Sequence, residues 1–219
     1  MSKLLEATVA VKPIKDGQTL FIGGFMSVGS PHHLIKALLE TSVRQLTVIA
    51  NDSGTPDTGI GLLVQQRRLN KIVASHIGLN PETGRLMHSG ELEVELVPQG
   101  TLVEAIRAGG AGLGGFLTPT GVGTVVETDK QVITIEGKDY LLELPLRANV
   151  ALIKAYKADT AGNLIFRKAA RNFNPIMATA ANYVVAEVEE VVAVGDIDPD
   201  QVMLPGIFVD AIVKGGEAN

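Results

Sequence analysis

Short apolar runs alternate with helical patterns over the first hundred residues, and this alternation limits the possible folds more than any other feature. The runs lie at residues 20–22, 46–50, 72–75 and 94–97. Strands that are apolar on both faces are typical of parallel sheets, because crossover helices cover both sides. The sequence therefore predicts an α/β fold: a mainly parallel sheet with helices on both faces, in a single domain over residues 1–219.

The pattern changes after residue 124. Residues 125–127, 131–136 and 140–144 have strand character and are joined by short polar turns, which predicts a small antiparallel meander at about 125–145. Beyond it, strands are predicted at 150–156, 164–166 and 183–188, a helix from Asn174-Pro175 to about Ala181, and an irregular segment after Gly195.

Composition removes several classes of function. The net charge is −5 and no basic run occurs, which argues against nucleic-acid binding. The absence of Cys excludes disulfides, thiolate metal sites and a Cys nucleophile, and the four His residues lack metal-ligand spacing. No apolar stretch reaches the roughly 18 residues of a membrane span, and no signal-peptide pattern opens the chain. We therefore expect a cytoplasmic protein with no metal and no membrane partner.

The segment Asp16–Pro31 joins the first predicted strand to the first predicted helix through a glycine-rich loop. Ser30 is predicted to cap the helix and Pro31 to occupy its first position. A strand, a glycine-lined loop and a helix N-terminus together offer N–H groups to an anion. An ordinary strand-to-helix turn explains the same residues. The segment is neither a phosphate-binding P-loop nor the dinucleotide fingerprint.

Polar residues follow the predicted strands at the edge where parallel sheets bind ligands. Gln99 follows the strand at 94–97, and its amide can donate to an oxygen that gains negative charge. The alternative is an ordinary residue at a strand end. Asn51 and Asp52 either line a pocket or close a turn, and His76 follows the strand at 72–75.

Glycine is densest at residues 109–124, after a helix predicted at 102–108 with Thr101 and Glu104 as a capping box. So long a loop in a compact domain is usually functional or disordered. Its apolar residues argue against disorder. Two interpretations stay open: a mobile wall over a bound ligand, or a tightly turning connector.

Taken together, the motifs resemble those of family I coenzyme A transferases. Residues 16–31 read Asp-Gly-Gln-Thr-Leu-Phe-Ile-Gly-Gly-Phe-Met-Ser-Val-Gly-Ser-Pro and are similar to the first signature of that family. Four later motifs agree in order: Ile49-Ala50-Asn51-Asp52, Val97-Pro98-Gln99-Gly100-Thr101, Arg107-Ala108-Gly109-Gly110-Ala111-Gly112 and Thr118-Pro119-Thr120-Gly121. Nearly the whole chain resembles the A-type (alpha) subunit of acetate/acetoacetate enzymes.

The resemblance implies roles for particular residues. Gln99 of the intact Pro-Gln-Gly motif would face the thioester oxyanion. Asn51, Asp52, Gly110 and Gly112 are further pocket candidates. Coenzyme A and acyl-CoA would be substrates, and no permanently bound cofactor is expected. The residues that match the coenzyme-binding segment are Gly24, Phe25, Met26, Ser27, Val28, Gly29 and Ser30.

The resemblance also implies a partner. The family's nucleophile is a glutamate in a Ser-Glu-Asn-Gly motif of the beta subunit, and no Glu in this chain follows a Ser. This chain would thus supply half of an active site in a hetero-oligomer, expected as α2β2, that acts on acetate, acetoacetate or butyrate.

Three alternatives remain open at this stage. The first is the corresponding subunit of a succinyl-CoA enzyme for 3-oxoacids or 3-oxoadipate, which needs an extra cation such as Lys71, Arg85 or Arg107. The second is a non-catalytic ligand-binding protein. The third is a sugar-phosphate isomerase of related fold.

Overall fold

A computed structural model describes residues 2–215. Its strands are β1 (Thr19–Ile22), β2 (Leu46–Ile49), β3 (Leu69–Ala74), β4 (Glu93–Leu96), β5 (Phe116–Thr118), β6 (Val132–Ile135), β7 (Lys138–Glu143), β8 (Ala148–Asp159), β9 (Leu164–Ile165), β10 (Ala181–Val192) and β11 (Ala211–Lys214). The main feature is a large sheet with strand order β11-β10-β8-β1-β2-β3-β4. All neighbours along this path are parallel, and β9 pairs antiparallel with β8. The prediction of a mainly parallel sheet is confirmed.

Helices cover both faces of this sheet. Along β1, Leu20 and Ile22 join one hydrophobic cluster, whereas Phe21 between them joins the other. All three side chains are fully buried, which explains why the strand carries no polar side chain at these positions. The first four helices cover the side of Leu20 and the last two the side of Phe21. They are α1 (Ala7–Ala10), α2 (His32–Leu39), α3 (Ile60–Gln65), α4 (Pro81–Ser89), α5 (Gln99–Ala111) and α6 (Asn174–Thr179).

The predicted antiparallel meander is present as a separate sheet with strand order β5-β7-β6. One of its predicted strands is wrong. Residues 125–127 form a 3-10 turn, because the Thr124 side chain accepts a hydrogen bond from the backbone N–H of Val126 and starts a helical turn there. The third strand is β5, which lies earlier in the chain.

The glycine-dense stretch begins as helix rather than loop. Helix α5 continues to Ala111 and ends at Gly112, whose φ of 71° suits a left-handed C-terminal residue. Gly109 and Gly110 pack so closely that a Cβ there would lie 2.0 Å from the carbonyl of Leu146 and 2.2 Å from Thr179 Oγ1. Neither a mobile wall nor a turning connector therefore describes residues 109–111, which are helical and closely packed.

The predicted capping box at Thr101 is also wrong. Helix α5 begins three residues earlier than predicted, directly after Pro98, and the Thr101 hydroxyl is buried without a hydrogen-bond partner among the described residues. Pro98 holds an extended conformation that turns the chain into the helix, so Gln99 becomes the first helical residue. By contrast, Asn80 caps α4 as its Asn-Pro sequence suggests, since its side chain accepts from the N–H of Glu82.

The C-terminal part of the described chain contains one strand that the sequence pattern did not reveal. Strand β11 pairs in parallel with β10, and its residues from Ala211 to Val213 are buried. The prediction of an irregular segment after Gly195 is therefore wrong at this point. Four residues are too few to show a periodic pattern, and only the pairing with β10 makes them a strand.

Candidate active site

The carboxyl ends of the parallel strands meet at one edge of the large sheet, and the candidate site lies there. Phe21 of β1 is level with Ile49 of β2, which is level with Val73 of β3. The segments that follow these strands therefore emerge side by side. They carry the glycine loop, the Asn51-Asp52 pair and, after β4, Gln99.

The glycine loop contains a tight hairpin turn of unusual conformation. Phe25 and Val28 exchange two backbone hydrogen bonds, of 3.0 and 2.9 Å. Met26 and Ser27 between them have φ values of 48° and 71°. Two consecutive positive φ values are the mark of a type I′ turn, which Asn and Gly favour and which is strained for Met and Ser. The turn leaves the side chains of Phe25, Met26 and Val28 about half exposed.

Asp52 holds this turn in place from the neighbouring strand end. Its Oδ2 accepts a 2.8 Å hydrogen bond from the backbone N–H of Met26, and its Oδ1 accepts one of equal length from Gly54. The carboxylate is buried. It gives both N–H groups a hydrogen-bond acceptor, and this stabilises the strained turn.

Asn51, the preceding residue, contacts Gln99. The Gln99 Nε2 atom donates a 2.9 Å hydrogen bond to Oδ1 of Asn51. Asn51 is buried, whereas Gln99 is exposed at the start of α5. A Gln amide has two N–H groups, so one remains for an oxygen atom of a ligand. A donor that is fixed in advance in this way is suited to an oxygen that gains negative charge during a reaction.

Two asparagines tie the glycine loop to the start of α6. Asn172 accepts from the N–H of Gly24 at 3.2 Å and donates to the carbonyl of Val28 at 3.0 Å. Asn174 donates to the carbonyl of Gly29 at 3.0 Å. The loop is thus held from both sides. Asn174 serves this contact rather than capping α6, where the structure has Phe173 as the capping residue without a side-chain bond.

The N–H groups at the start of helix α2 have a different hydrogen-bond acceptor from the predicted Ser30 side chain. Pro31, not Ser30, is the capping residue, and no side-chain cap forms there. Instead, Oε2 of Glu187 accepts from the N–H groups of His33 and Leu34 at 2.8 and 3.1 Å. The protein's own carboxylate therefore occupies the place that the sequence assigned to an anionic ligand.

Glu187 lies in β10, and the only sign of its role in the local sequence is its position. It is the first charged residue in an apolar run that begins at Tyr183. A carboxylate in a buried strand requires a partner, and Lys154 of β8 provides it: Nζ lies 3.0 Å from Oε1 of Glu187. A single charge within an apolar run on each strand indicates that the charge is buried, but not that the pair reaches α2.

The remaining candidate residues, Gly110, Gly112 and His76, add no side-chain contact to the site within residues 2–215. Gly110 and Gly112 lie near the far end of α5, about 16 and 20 Å along the helix from Gln99 at a rise of 1.5 Å per residue. The structure therefore does not bring them together with the other candidates. His76 follows β3 and forms a backbone bridge with Asp52, and its side chain is exposed.

A groove opens beside the glycine loop. It has a volume of about 290 Å³ and extends from Val28 over residues of β8 and β10. Its walls combine apolar side chains such as Phe166 with the aromatic ring of Tyr156, over which the Arg167 guanidinium stacks at 4.0 Å. This size is at the lower end of what small-molecule sites offer.

Two kinds of feature are missing from residues 2–215. No helix there combines the length and hydrophobicity that crossing a membrane requires. The same residues contain no group of three or more His, Cys, Asp or Glu side chains that is placed to hold one metal ion. The polar groups of the site include amides, backbone N–H groups and the carboxylate of Asp52, which already accepts two hydrogen bonds.

Comparison with known proteins gives consistent matches. The sequence profile of a family described as coenzyme A transferase matches residues 4–215. The alpha subunit of the acetate CoA-transferase of Escherichia coli is 55% identical over 218 residues, which cover 100% of this chain and 99% of that protein. The A-type subunit of the succinyl-CoA:3-ketoacid coenzyme A transferase of Xanthomonas campestris is 54% identical, over 91% of this chain and 83% of its own.

A solved structure has the same fold. An acyl-CoA transferase apoenzyme from Escherichia coli O157:H7 superposes with a TM-score of 0.86, over 98% of this chain. Sequence identity is 24%, so the likeness concerns the fold alone. This chain covers 47% of that polypeptide, which is about half its length.

Proposed function

The chain belongs to the coenzyme A transferase family as a subunit of the alpha type, and from that premise we propose that it moves coenzyme A between short-chain carboxylic acids. The acids proposed are acetate, acetoacetate and butyrate. The name of the 55% identical relative supports acetate as one of them. Coenzyme A and its thioesters are substrates, with no permanently bound cofactor, in a cytoplasmic enzyme.

One observation carries the proposal: the amide of Gln99 is anchored on Asn51 and keeps one N–H group free, next to the glycine loop. Thioester attack creates a negative charge on the carbonyl oxygen. A fixed N–H donor at that oxygen stabilises the transition state more than the ground state, which is what acceleration requires. Gln99 is placed for this role at the edge of the sheet where α/β proteins bind ligands.

The reaction proceeds through a glutamate. Its carboxylate attacks the acyl-CoA carbonyl, the C–S bond breaks, and the leaving thiolate and an acyl-glutamyl anhydride form. The thiolate then attacks the glutamyl carbonyl, which releases the first acid and leaves a glutamyl-CoA thioester. A second acid reverses these steps and departs as the new acyl-CoA. Each addition places charge on an oxygen that needs a donor such as Gln99.

The nucleophilic glutamate belongs, in this proposal, to a beta subunit. No Glu of this chain has the Ser-Glu-Asn-Gly context. The carboxylate that lies within the site, Asp52, already accepts two backbone hydrogen bonds. Two copies of each subunit would form an α2β2 assembly.

The segment from Gly24 to Ser30 would contact the coenzyme. Its turn presents backbone groups and three apolar side chains at the same edge as Gln99. Asp52, Asn172 and Asn174 hold this segment. A loop that is fixed before binding loses less conformational entropy when the coenzyme arrives.

A second candidate is a succinyl-CoA enzyme, which the 54% identical relative favours by its name. A dicarboxylate needs a cation in the pocket. The three cations that the sequence offered are each paired with glutamates: Lys71 with Glu93 and Glu95, Arg85 with Glu82 and Glu91, and Arg107 with Glu104. This pairing supports the monocarboxylate reaction in preference to the dicarboxylate one.

The proposal is tested with Gln99→Ala in the assembled enzyme. We expect kcat to fall by about 100-fold or more, as when a single oxyanion donor is removed elsewhere, with the unfolding temperature unchanged. Gln65→Ala, at an exposed position of α3, is the control for loss of a Gln side chain. Turnover near the wild-type value in Gln99→Ala would refute the role of Gln99.

A further inference from the structure

We infer that Ser75 is a positioning residue for the Gln99 amide and acts on it through Asn51. Ser75 follows β3 and is half-buried. The inference rests on the proposed function, since it concerns the donor that the reaction uses.

The contacts form a short chain across three neighbouring strand ends. The Ser75 hydroxyl lies 2.8 Å from the main-chain carbonyl of Asn51 and 3.0 Å from its Oδ1. The backbone N–H of Ser75 donates to the same carbonyl at 2.9 Å. A hydroxyl has one proton to donate. In this arrangement the main-chain carbonyl has the N–H of Ser75 as its donor, and the hydroxyl donates to Oδ1 of Asn51 and restrains that side chain.

The orientation of Asn51 then determines that of Gln99. Oδ1 of Asn51 faces the donors of both Ser75 and Gln99, so its NH₂ group is turned away from Gln99. Were Asn51 to rotate, its NH₂ group would face the Gln99 NH₂ group and repel it. Gln99 would then present its carbonyl oxygen to Asn51 and lose the fixed direction of its free N–H. Ser75 opposes this rotation.

We expect the loss of Ser75 to affect catalysis rather than substrate binding. A donor stabilises the oxyanion most when it is oriented before the reaction begins. Ser75 belongs to neither the glycine loop nor the Gln99 segment, so its loss should lower kcat with little effect on KM. A residue that merely stabilised the fold would not act selectively through Gln99.

The first experiment measures exchange kinetics in the complex of this chain with a beta subunit. Ser75→Ala should lower kcat by about 3- to 10-fold, which corresponds to one neutral hydrogen bond, with KM for acyl-CoA within about two-fold. Ser75→Thr, which keeps a hydroxyl, should recover most of the loss. Ser89→Ala, which removes a hydroxyl bonded to Leu86 at the end of α4, is the matched control. Unchanged kcat in Ser75→Ala overturns the inference.

A double variant separates this inference from the proposed function. In a Gln99→Ala background, Ser75→Ala should cause no further loss of kcat, because the donor that it orients is gone. A further loss as large as in the wild-type background overturns the inference. If Gln99→Ala itself stays fully active, the proposed role of Gln99 fails instead.

A third measurement does not depend on enzymatic activity. The side-chain amide of Gln99 gives a pair of ¹⁵N–¹H NMR signals in the full chain, assigned by their absence in Gln99→Ala. Ser75→Ala should shift this pair or broaden it, and Ser75→Thr and Ser89→Ala should leave it in place. Identical Gln99 side-chain signals in Ser75→Ala and the wild type overturn the inference.

Discussion

Glu187 and Lys154 form an ion pair with Oε1 and Nζ 3.0 Å apart, and both side chains are almost fully buried, at 2% and 7% exposure. The other oxygen of Glu187 accepts from the first turn of helix α2. A single carboxylate therefore joins two parallel strands to the helix that follows the glycine loop. The backbone N–H of Lys154 in turn donates to Asn174, which holds Gly29.

The first prediction concerns the stability of this pair. Lys154→Met should lower the free energy of unfolding by about 3–5 kcal/mol, because it leaves the Glu187 carboxylate buried without its counter-charge. Urea unfolding of the full chain at neutral pH measures this difference.

The neighbouring pair on the same two strands provides a matched control. Lys157 and Glu190 are also 3.0 Å apart, but their side chains are 24% and 43% exposed. Lys157→Met should cost at most about 1 kcal/mol, as surface pairs do. Equal losses in the two variants would contradict the view that burial of the Glu187 charge makes the first pair matter.

The second prediction concerns Asp52. Asp52→Ala leaves the N–H groups of Met26 and Gly54 without their acceptor, so we expect a loss of about 1–3 kcal/mol in unfolding free energy. The loosened turn should also raise KM for acyl-CoA. Asp159→Ala is the control, because this buried carboxylate likewise accepts from two backbone N–H groups, in the turn after β8. A KM that changes equally in both variants would argue against a role for the turn in binding.

The third prediction distinguishes packing from binding at Gly110. An added Cβ would lie 2.2 Å from Thr179 Oγ1, so Gly110→Ala should destabilise the chain by about 1–3 kcal/mol through overpacking of α5 against α6. Gly100 lies on the same helix with nothing within 4 Å of its added Cβ. Gly100→Ala should therefore leave the unfolding free energy unchanged or raise it. Thermal unfolding of the two variants decides, and equal stability would refute the packing role.

The fourth prediction concerns pH. Hydrogen bonds from Arg85 and then Arg67 lower the pKa of the Glu82 carboxyl from 4.5 to about 2. The contribution of Glu82 to stability is then fully present above pH 4.5 and is lost as the pH falls through 2. An NMR titration of the side-chain carboxyl should give a midpoint well below 4.5, which moves upward in 1 M salt as the ion pairs are screened. A midpoint near 4.5 at low salt would contradict these contacts.

The sequence was sufficient for the sheet and for part of the site. Continuous apolar strands predict a parallel sheet, and the carboxyl ends of such strands converge, so Asn51, Asp52 and Gln99 are expected at one edge. Asn51 and Gln99 are indeed 2.9 Å apart between side-chain atoms. The helix over residues 109–111 escaped prediction, because glycine lowers helix propensity and the close approach to Thr179 that compensates is a tertiary contact.

The contacts that hold the site could not be predicted, because they join distant parts of the chain. Asn172 and Gly24 are 148 positions apart, and Asn174 and Gly29 are 145 apart. Glu187 and Leu34 are separated by 153 positions. Local periodicity carries no information about such pairs. The local pattern therefore assigns the start of α2 to a ligand, whereas a strand near the other end of the chain supplies the carboxylate.

The most direct test of the account is an exchange assay with acetyl-CoA and acetoacetate, run with this chain alone, with the purified beta partner alone, and with the two mixed. The central claim is that the chain supplies the oxyanion donor and the partner the nucleophile. It predicts acetoacetyl-CoA only in the mixture, and a mixture made with Gln99→Ala should be nearly inactive. Turnover by this chain alone would contradict the claim, because it would require a nucleophile within these residues.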